Sequence, residues 1–350
     1  MLPHDTSDDR LSTLKVGVTI IAIILAAFAC WALRAILTPF ILAVFLLFMI
    51  GGLENALTRF MKVPHRAALP AAIVLVVAFF GIAIWVISRN AAAIYGDSSL
   101  YVNRLNLLLQ MGSEKLGLQA APTIDQLFKQ VNPAQYFKVA ASSVGHILEA
   151  FVFVLIYLGF MLASRKSFRN KLAELFQDGE KGAVEVFTRI QHGVESYIWV
   201  QTLVGLIIAG ASALLMWPTG IHHVLFWSFL IFLANYIPAI GAAIGVLLPP
   251  LFALVDQDSV WKPIALLIGL EAVHFTVSHV VQPRMQGQSL NIDPIVVLLS
   301  LAFWGVIFGI AGAFLSTPLT VIVMAICAEF SATRGVAVLL SDDGKPYAGL

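Results

Sequence analysis

The segment Ala234–Gly245 reads ANYIPAIGAAIG and lies inside an uncharged run, Ser196–Val255, far longer than one membrane crossing. A helix that spans the hydrocarbon core takes about 20 apolar residues. Pro238 removes a backbone donor and clashes with the preceding turn. Gly241 and Gly245 loosen a helix or let a neighbour approach closely. The chain thus breaks its own helix at a depth where lipid cannot satisfy the freed backbone. Such backbone is tolerated only where protein buries it or where it lines a water-filled cavity. The stretch therefore predicts a cavity with free amides and carbonyls at its wall.

The sequence around it is built for lipid. Only 12% of the 350 residues are charged, about half the share of a soluble domain. Further charge-free runs occupy Val16–Leu33, Ala35–Leu53, Ala67–Ser88, Ala150–Ser164 and Pro294–Ala328. The fold class is an all-α polytopic membrane protein with about six spanning helices. Two broken or re-entrant helical hairpins are expected in the C-terminal half, with amphipathic helices on the surface. A net charge of +1 gives no reason to expect nucleic acid as a partner. The acidic start, MLPHDTSDDR, is unlike a secretory leader, so Val16–Leu33 reads as the first span. Cys30 and Cys327 fall in apolar runs and read as small hydrophobes.

Positive charge in short loops marks the cytoplasmic side. Arg165, Lys166, Arg169 and Lys171 follow one span, and Arg59, Lys62 and Arg66 separate two others. Both loops are expected inside, which puts the N-terminus in the cytoplasm. The chain then divides into a three-span region, 1–88, and amphipathic extracytoplasmic helices, 89–138. A fourth span with a cytoplasmic amphipathic helix, 139–195, leads to a transport core, 196–330, and a cytoplasmic tail, 331–350.

The core repeats a pattern. Thr202–Trp217 reads as an ordinary span, followed by the broken Ile221–Val255, where Pro249-Pro250 suggests a second break. Pro263–Gln282 is another span, followed by Pro294–Ala328, interrupted by Gly305, Gly309, Gly312 and Pro318. Two span-plus-broken-segment units are the sequence pointer to a secondary-transporter site. Charge bias favours a first hairpin entered from outside and a second entered from the cytoplasm. Within Pro263–Gln282, Glu271, His274, Ser278 and Gln282 share a face at about 100° per residue. A mid-bilayer carboxylate normally faces the bundle interior, and Glu271 with His274 could hold a proton or a polar substrate. Asn235 and Tyr236 would add an amide and a phenol from the hairpin tip. Glu271 and His274 could equally be structural glue, and Gly241-x-x-x-Gly245 a packing notch. The pairs His146/Glu149 and His222/His223 sit near interfaces and rank lower. No HExxH, CxxC or GxxxxGK[ST] motif occurs, so no enzyme activity, cofactor or metal is expected.

NYIPAIGAAIG, followed by QPRMQGQSLNIDPIVVLLSLAFWGVIFGIAGAFLSTPLTVIV, resembles the signature half of the autoinducer-2 exporter family. Pro238, Gly241 and Gly245 match its proline–glycine break. Pro283, Gly287, Ser289 and Leu290 match its loop, and Trp304, Gly305, Gly309, Gly312, Pro318 and Leu319 its glycine-broken helix. The resemblance implies a bacterial inner-membrane protein that exports a small polar solute, autoinducer-2 foremost. It also implies a homo-oligomer, a pentamer, with an elevator-like motion of the hairpin-bearing part. Relatives are linked to sodium–proton antiport as well, so H+ or Na+ are candidate partners alongside the solute and the lipid bilayer. Three readings stand: solute exporter, Na+(Li+)/H+ antiporter using Glu271 and His274, and a non-transporting membrane scaffold.

Overall fold

The computed structural model describes residues 6–115, 149–165, 167, 171, 181–286, 291–330 and 332–346. Helices α1 (Thr6–Ala32), α2 (Arg34–Phe60) and α3 (His65–Gly96) form the N-terminal part. Helix α4 (Ser98–Lys115) and helix α5 (149–165) follow. The loop signature Gly287, Ser289 and Leu290 lies outside the described residues, as do much of the expected surface helices and His146.

Helix α6 (Lys181–Thr219) is one continuous helix. The sequence suggested a cytoplasmic helix followed by a separate span at Thr202–Trp217. Glycines 193, 205 and 210 alone do not break it, and its only proline, Pro218, falls in the last turn. The chain then turns at Gly220 and His223, both at positive φ, into α7 (Val224–Ala234) and α8 (Ile240–Asp256).

α7 and α8 run antiparallel. A Cβ at Gly245 would meet Ile231, and one at Gly241 would meet the main chain of Ala234. Further from the tip, Trp227 packs on Phe252 with ring centroids 5.2 Å apart. At the base, Asp256 accepts from the His222 amide at 2.9 Å. The 11 residues of α7 rise about 16 Å, half the thickness of a hydrocarbon core. The first broken segment is therefore a re-entrant hairpin with its tip at Asn235–Ala239. The second break expected at Pro249-Pro250 does not occur, because α8 passes through both prolines, which are buried. A helical proline crowds the carbonyl four residues back, and for Pro249 that residue is Gly245.

The path crosses back through α9 (Trp261–Thr276), whose helix widens to a π turn at Val277–Val281 and continues as α10 (Gln282–Gln286). Next come α11 (Pro294–Phe314) and α12 (Ser316–Glu329). The Asp293 carboxylate caps α11 by accepting from the Ile295 amide at 2.7 Å, with Pro294 opening the helix. α11 reverses at Gly309, whose φ of 64° and ψ of −144° belong to no helix. After the reversal, Gly312 lies against the main chain of Trp304 and Gly305 opposite Ala313. The Trp304 indole donates to the Thr320 hydroxyl at 3.0 Å. This is a second hairpin. Pro318 does not break it: the interruption is at Leu315, and Pro318 sits in the first turn of α12, where a missing donor costs little.

Five described helices are long and apolar enough to cross a membrane by length and composition, α11 among them. Its reversal at Gly309 makes it a hairpin leg, which leaves α2, α3, α6 and α9 as long spans. The Ile21–Ala32 part of α1 is a shorter apolar helix. The fold is an all-α polytopic membrane protein, as expected.

The hairpins enter from opposite ends. The first leaves the end where α6 finishes, and the second leaves the far end of α9–α10. Their inner parts meet. Tyr236 at the first tip stacks on Phe314 of the second hairpin at 4.7 Å, and Phe314 lies edge-on to Phe45 of α2 at 5.5 Å.

Candidate functional site

A cavity of 560 Å³ lies between the tip of the first hairpin and the base of the second. The hairpin tip supplies Asn235, Pro238 and Ala239, and α6 supplies Tyr197 and Gln201. His274, Ser278 and Gln282 descend from α9–α10, and Thr317 comes from α12. Asn291, Asp342 and Asp343 form the rim.

Each wall has a local cause. Proline 238 and the positive φ of Ala239 (60°) stop α7 and turn the chain. The turn is held from α6, where the Gln201 amide donates to the Asn235 carbonyl at 2.5 Å. The Thr202 and Tyr236 hydroxyls share a hydrogen bond of 2.6 Å. Tyr197 and Gln201 are both buried. The Asn235 side-chain amide is buried and finds no acceptor among the described residues. On α9–α10, His274 Nδ1 and the Ser278 hydroxyl are 2.9 Å apart.

Of the residues singled out from sequence, Asn235, Pro238, His274, Ser278 and Gln282 line the cavity. Tyr236 stands behind the wall, buried against Phe314. Glu271 is exposed and outside the lining. Its position at about 100° per residue agrees with the face of His274, but it lies one turn nearer the start of α9. The π turn, in which each residue advances the helix by a smaller angle, also rotates Glu271 relative to Ser278 and Gln282. Pro283 is exposed at the end of α9–α10. Gly241, Gly245, Gly305, Gly309 and Gly312 shape the hairpins and do not line the cavity.

Tyr197, Gln201, Thr317, Asn291, Asp342 and Asp343 were missed. Tyr197 and Gln201 are polar residues at helical spacing inside an uncharged run, a signal that was there to read. Nothing in the sequence ties Asn291 to Asp343. In the fold, the Asn291 amide donates to the Asp343 carboxylate at 2.6 Å and to the Lys345 carbonyl at 2.7 Å. The Asp343 amide returns a bond to the Asn291 side-chain oxygen at 3.3 Å, and the Lys345 amide donates to the Asp343 carboxylate at 2.8 Å. These bonds, the Asn291 amide first, hold the Asp343 carboxyl below the usual carboxylate range. The segment read as a tail thus folds onto the hairpin base, with Ala337 of α13 (Arg334–Leu340) packed against Met324 and Ala328.

The rim has a side. Near the start of α6, Glu195 touches Gly51 of α2, and Glu54 of α2 pairs with Arg165 at 3.1 Å. The ends carrying Arg59, Lys62, Arg66 and Arg165 are therefore the ends near the cavity rim. The opposite end carries the base of the first hairpin. There Arg104 of α4 pairs with Asp258 at 2.9 Å, and His223 bonds Asn90 of α3 at 2.8 Å.

Residues 19–332 match a family described as the AI-2E family transporter. The chain belongs to the AI-2E transporter family. It is 26% identical over 323 residues to the AI-2 transport protein TqsA of Escherichia coli K12, covering 89% of this chain and 90% of that protein. A transport protein of Haemophilus influenzae is 26% identical over 343 residues, 93% of this chain and 95% of that one. The transport protein YhhT of Escherichia coli K12 is 33% identical over 166 residues, 46% of each chain. As an AI-2E member the protein is a multi-pass membrane transporter, and the cavity lies inside the half that carries the two hairpins.

Proposed function

We propose that the protein exports a small polar solute, with autoinducer-2 the leading candidate, by alternating access in which the hairpin-bearing part moves like an elevator. The observation that carries this reading is the 560 Å³ cavity walled by the turn at Asn235–Ala239. Its volume fits a small-molecule site, and its wall offers amides, hydroxyls and an imidazole. Two hairpins of opposite orientation are the architecture expected for alternating access about a central site. By the positive-inside bias the rim faces the cytoplasm, the side from which an exporter loads. The similarity to an AI-2 transport protein makes autoinducer-2 the first solute to try. The resemblance adds a homo-oligomer in a bacterial inner membrane, and the loop charges put the N-terminus inside.

A Na+(Li+)/H+ antiporter using Glu271 is less well supported, because Glu271 is exposed and outside the cavity. Inverted membrane vesicles tested with labelled autoinducer-2 separate the readings. Uptake several-fold above protein-free vesicles, reduced by Asn235→Ala, is the expected result. No uptake, together with a sodium-driven proton flux abolished by Glu271→Gln, would replace the exporter with the antiporter.

A further inference from the structure

The lining of the cavity carries carboxylates at its mouth. Asp342 and Asp343 belong to the lining, and among the described residues no Lys or Arg does. His274 is the other titratable group facing the space, joined by the buried Tyr197 hydroxyl. Lys345 stands beside Asp343 and offsets part of its charge, but it lies outside the lining, as does the exposed Arg284. Asp342 has no such neighbour among the interactions described for the rim.

The acidic residues are held in place by a built feature. The loop before α11 and the segment after α13 are stitched by main-chain bonds from Asp293 N to Leu340 O and from Asp342 N to Asn291 O, both 3.2 Å. The Asn291 side chain adds the further bonds to Asp343 and Lys345. Ala337, fully buried, anchors α13 onto the second hairpin. The strap is therefore part of the hairpin base and keeps its two carboxylates at the opening. Charge of one sign lining the mouth of a cleft raises or lowers the local concentration of charged solutes, by about tenfold.

We infer that the strap Ser341–Lys345, positioned by Asn291, is a charge filter that admits neutral and cationic solutes to the cavity and turns back anions. This rests on the cavity being the solute site, and it narrows the solute class to uncharged or positively charged small molecules. Phosphorylated or carboxylated forms of the same molecule would be excluded.

The test reads access rather than transport, so it can fail without touching the exporter reading. A cysteine replaces Ala242, which lines the cavity, in full-length protein carrying Cys30→Ser and Cys327→Ala. Its modification rates with a cationic and an anionic methanethiosulfonate reagent are compared in membrane vesicles, each normalised to a free thiol. The expected cationic-to-anionic ratio is about tenfold, falling at least threefold in Asp342→Asn/Asp343→Asn and shrinking with added salt. Asn291→Ala, which keeps every charge and releases the strap, should lower the ratio as well. A ratio near one in the parent, or one unchanged in both variants, would overturn the filter. So would a cysteine that neither reagent reaches.

Discussion

The first hairpin turns over Asn235–Ala239, with an amide, a phenol and a proline, while the second turns at Gly309 alone among apolar neighbours. The first offers its tip to the cavity and ties its base to α3 and α4 through His223–Asn90 and Arg104–Asp258. The second does the reverse. Its inner part is aromatic, stacking Phe314 on Tyr236, and its base contributes Asn291, Asp342 and Asp343 to the rim. Because they enter from opposite ends, one polar tip and one polar base fall on the same side of the meeting point. The cavity consequently has its rim on the side of the second hairpin's base. Two segments that look alike in sequence are thus unequal partners at the site.

The comparison can be broken most severely at the close approaches. A Cβ at Gly312 would collide with the Trp304 main chain, and one at Gly241 with that of Ala234. Backbone cannot give way as a side chain can, so Gly312→Ala and Gly241→Ala should each cost about 3 kcal/mol or more. Thermal melts in detergent would show this as loss of monodisperse protein. Gly309 is different: nothing surrounds its absent Cβ, but its φ is 64°. Gly309→Ala should cost about 1–3 kcal/mol through backbone strain alone, giving an intact protein with a lowered melting temperature. Equal effects at Gly309 and Gly312 would show that the tip and the leg contact are not distinct constraints.

Smaller changes sharpen the contrast. Asp293→Ala removes the cap of α11 and should cost about 1 kcal/mol in the same melt. Tyr236→Phe keeps the stack on Phe314 and removes only the bond to Thr202, whose hydroxyl still donates to the Ile198 carbonyl at 2.6 Å. A loss of about 1 kcal/mol or less is expected. Arg104→Ala should matter least for stability, under about 1 kcal/mol, since exposed ion pairs contribute little and the Asp258 side chain is 98% exposed.

The lipid-spanning class, the existence of both breaks and the opposed orientation were legible because they rest on local chemistry: proline, glycine, run length and loop charge. His274, Ser278 and Gln282 line one cavity because helical spacing carries across one element. Glu271 lies outside that lining because spacing along one helix gives a direction but not a depth. Pro249 and Pro318 were read as breaks, but their effect depends on what sits four residues back and on how far into a helix they fall. Asn291 and Asp343 were beyond reach. Their bond joins residues far apart in the chain, through the packing of a helix that hydropathy shows only as a short apolar stretch.

The two hairpin bases lie at opposite ends of the bundle, and single cysteines test whether these are opposite faces of the membrane without knowledge of the solute. Asp258→Cys, at the base of the first hairpin, and Asp343→Cys, at the base of the second, would be challenged with a membrane-impermeant maleimide. Intact cells and inverted vesicles would be compared in the Cys30→Ser, Cys327→Ala background. Labelling of Asp258→Cys from one side only and of Asp343→Cys from the other only is the expected result. Labelling of both from the same side would contradict the inverted pair, and with it the placement of the cavity.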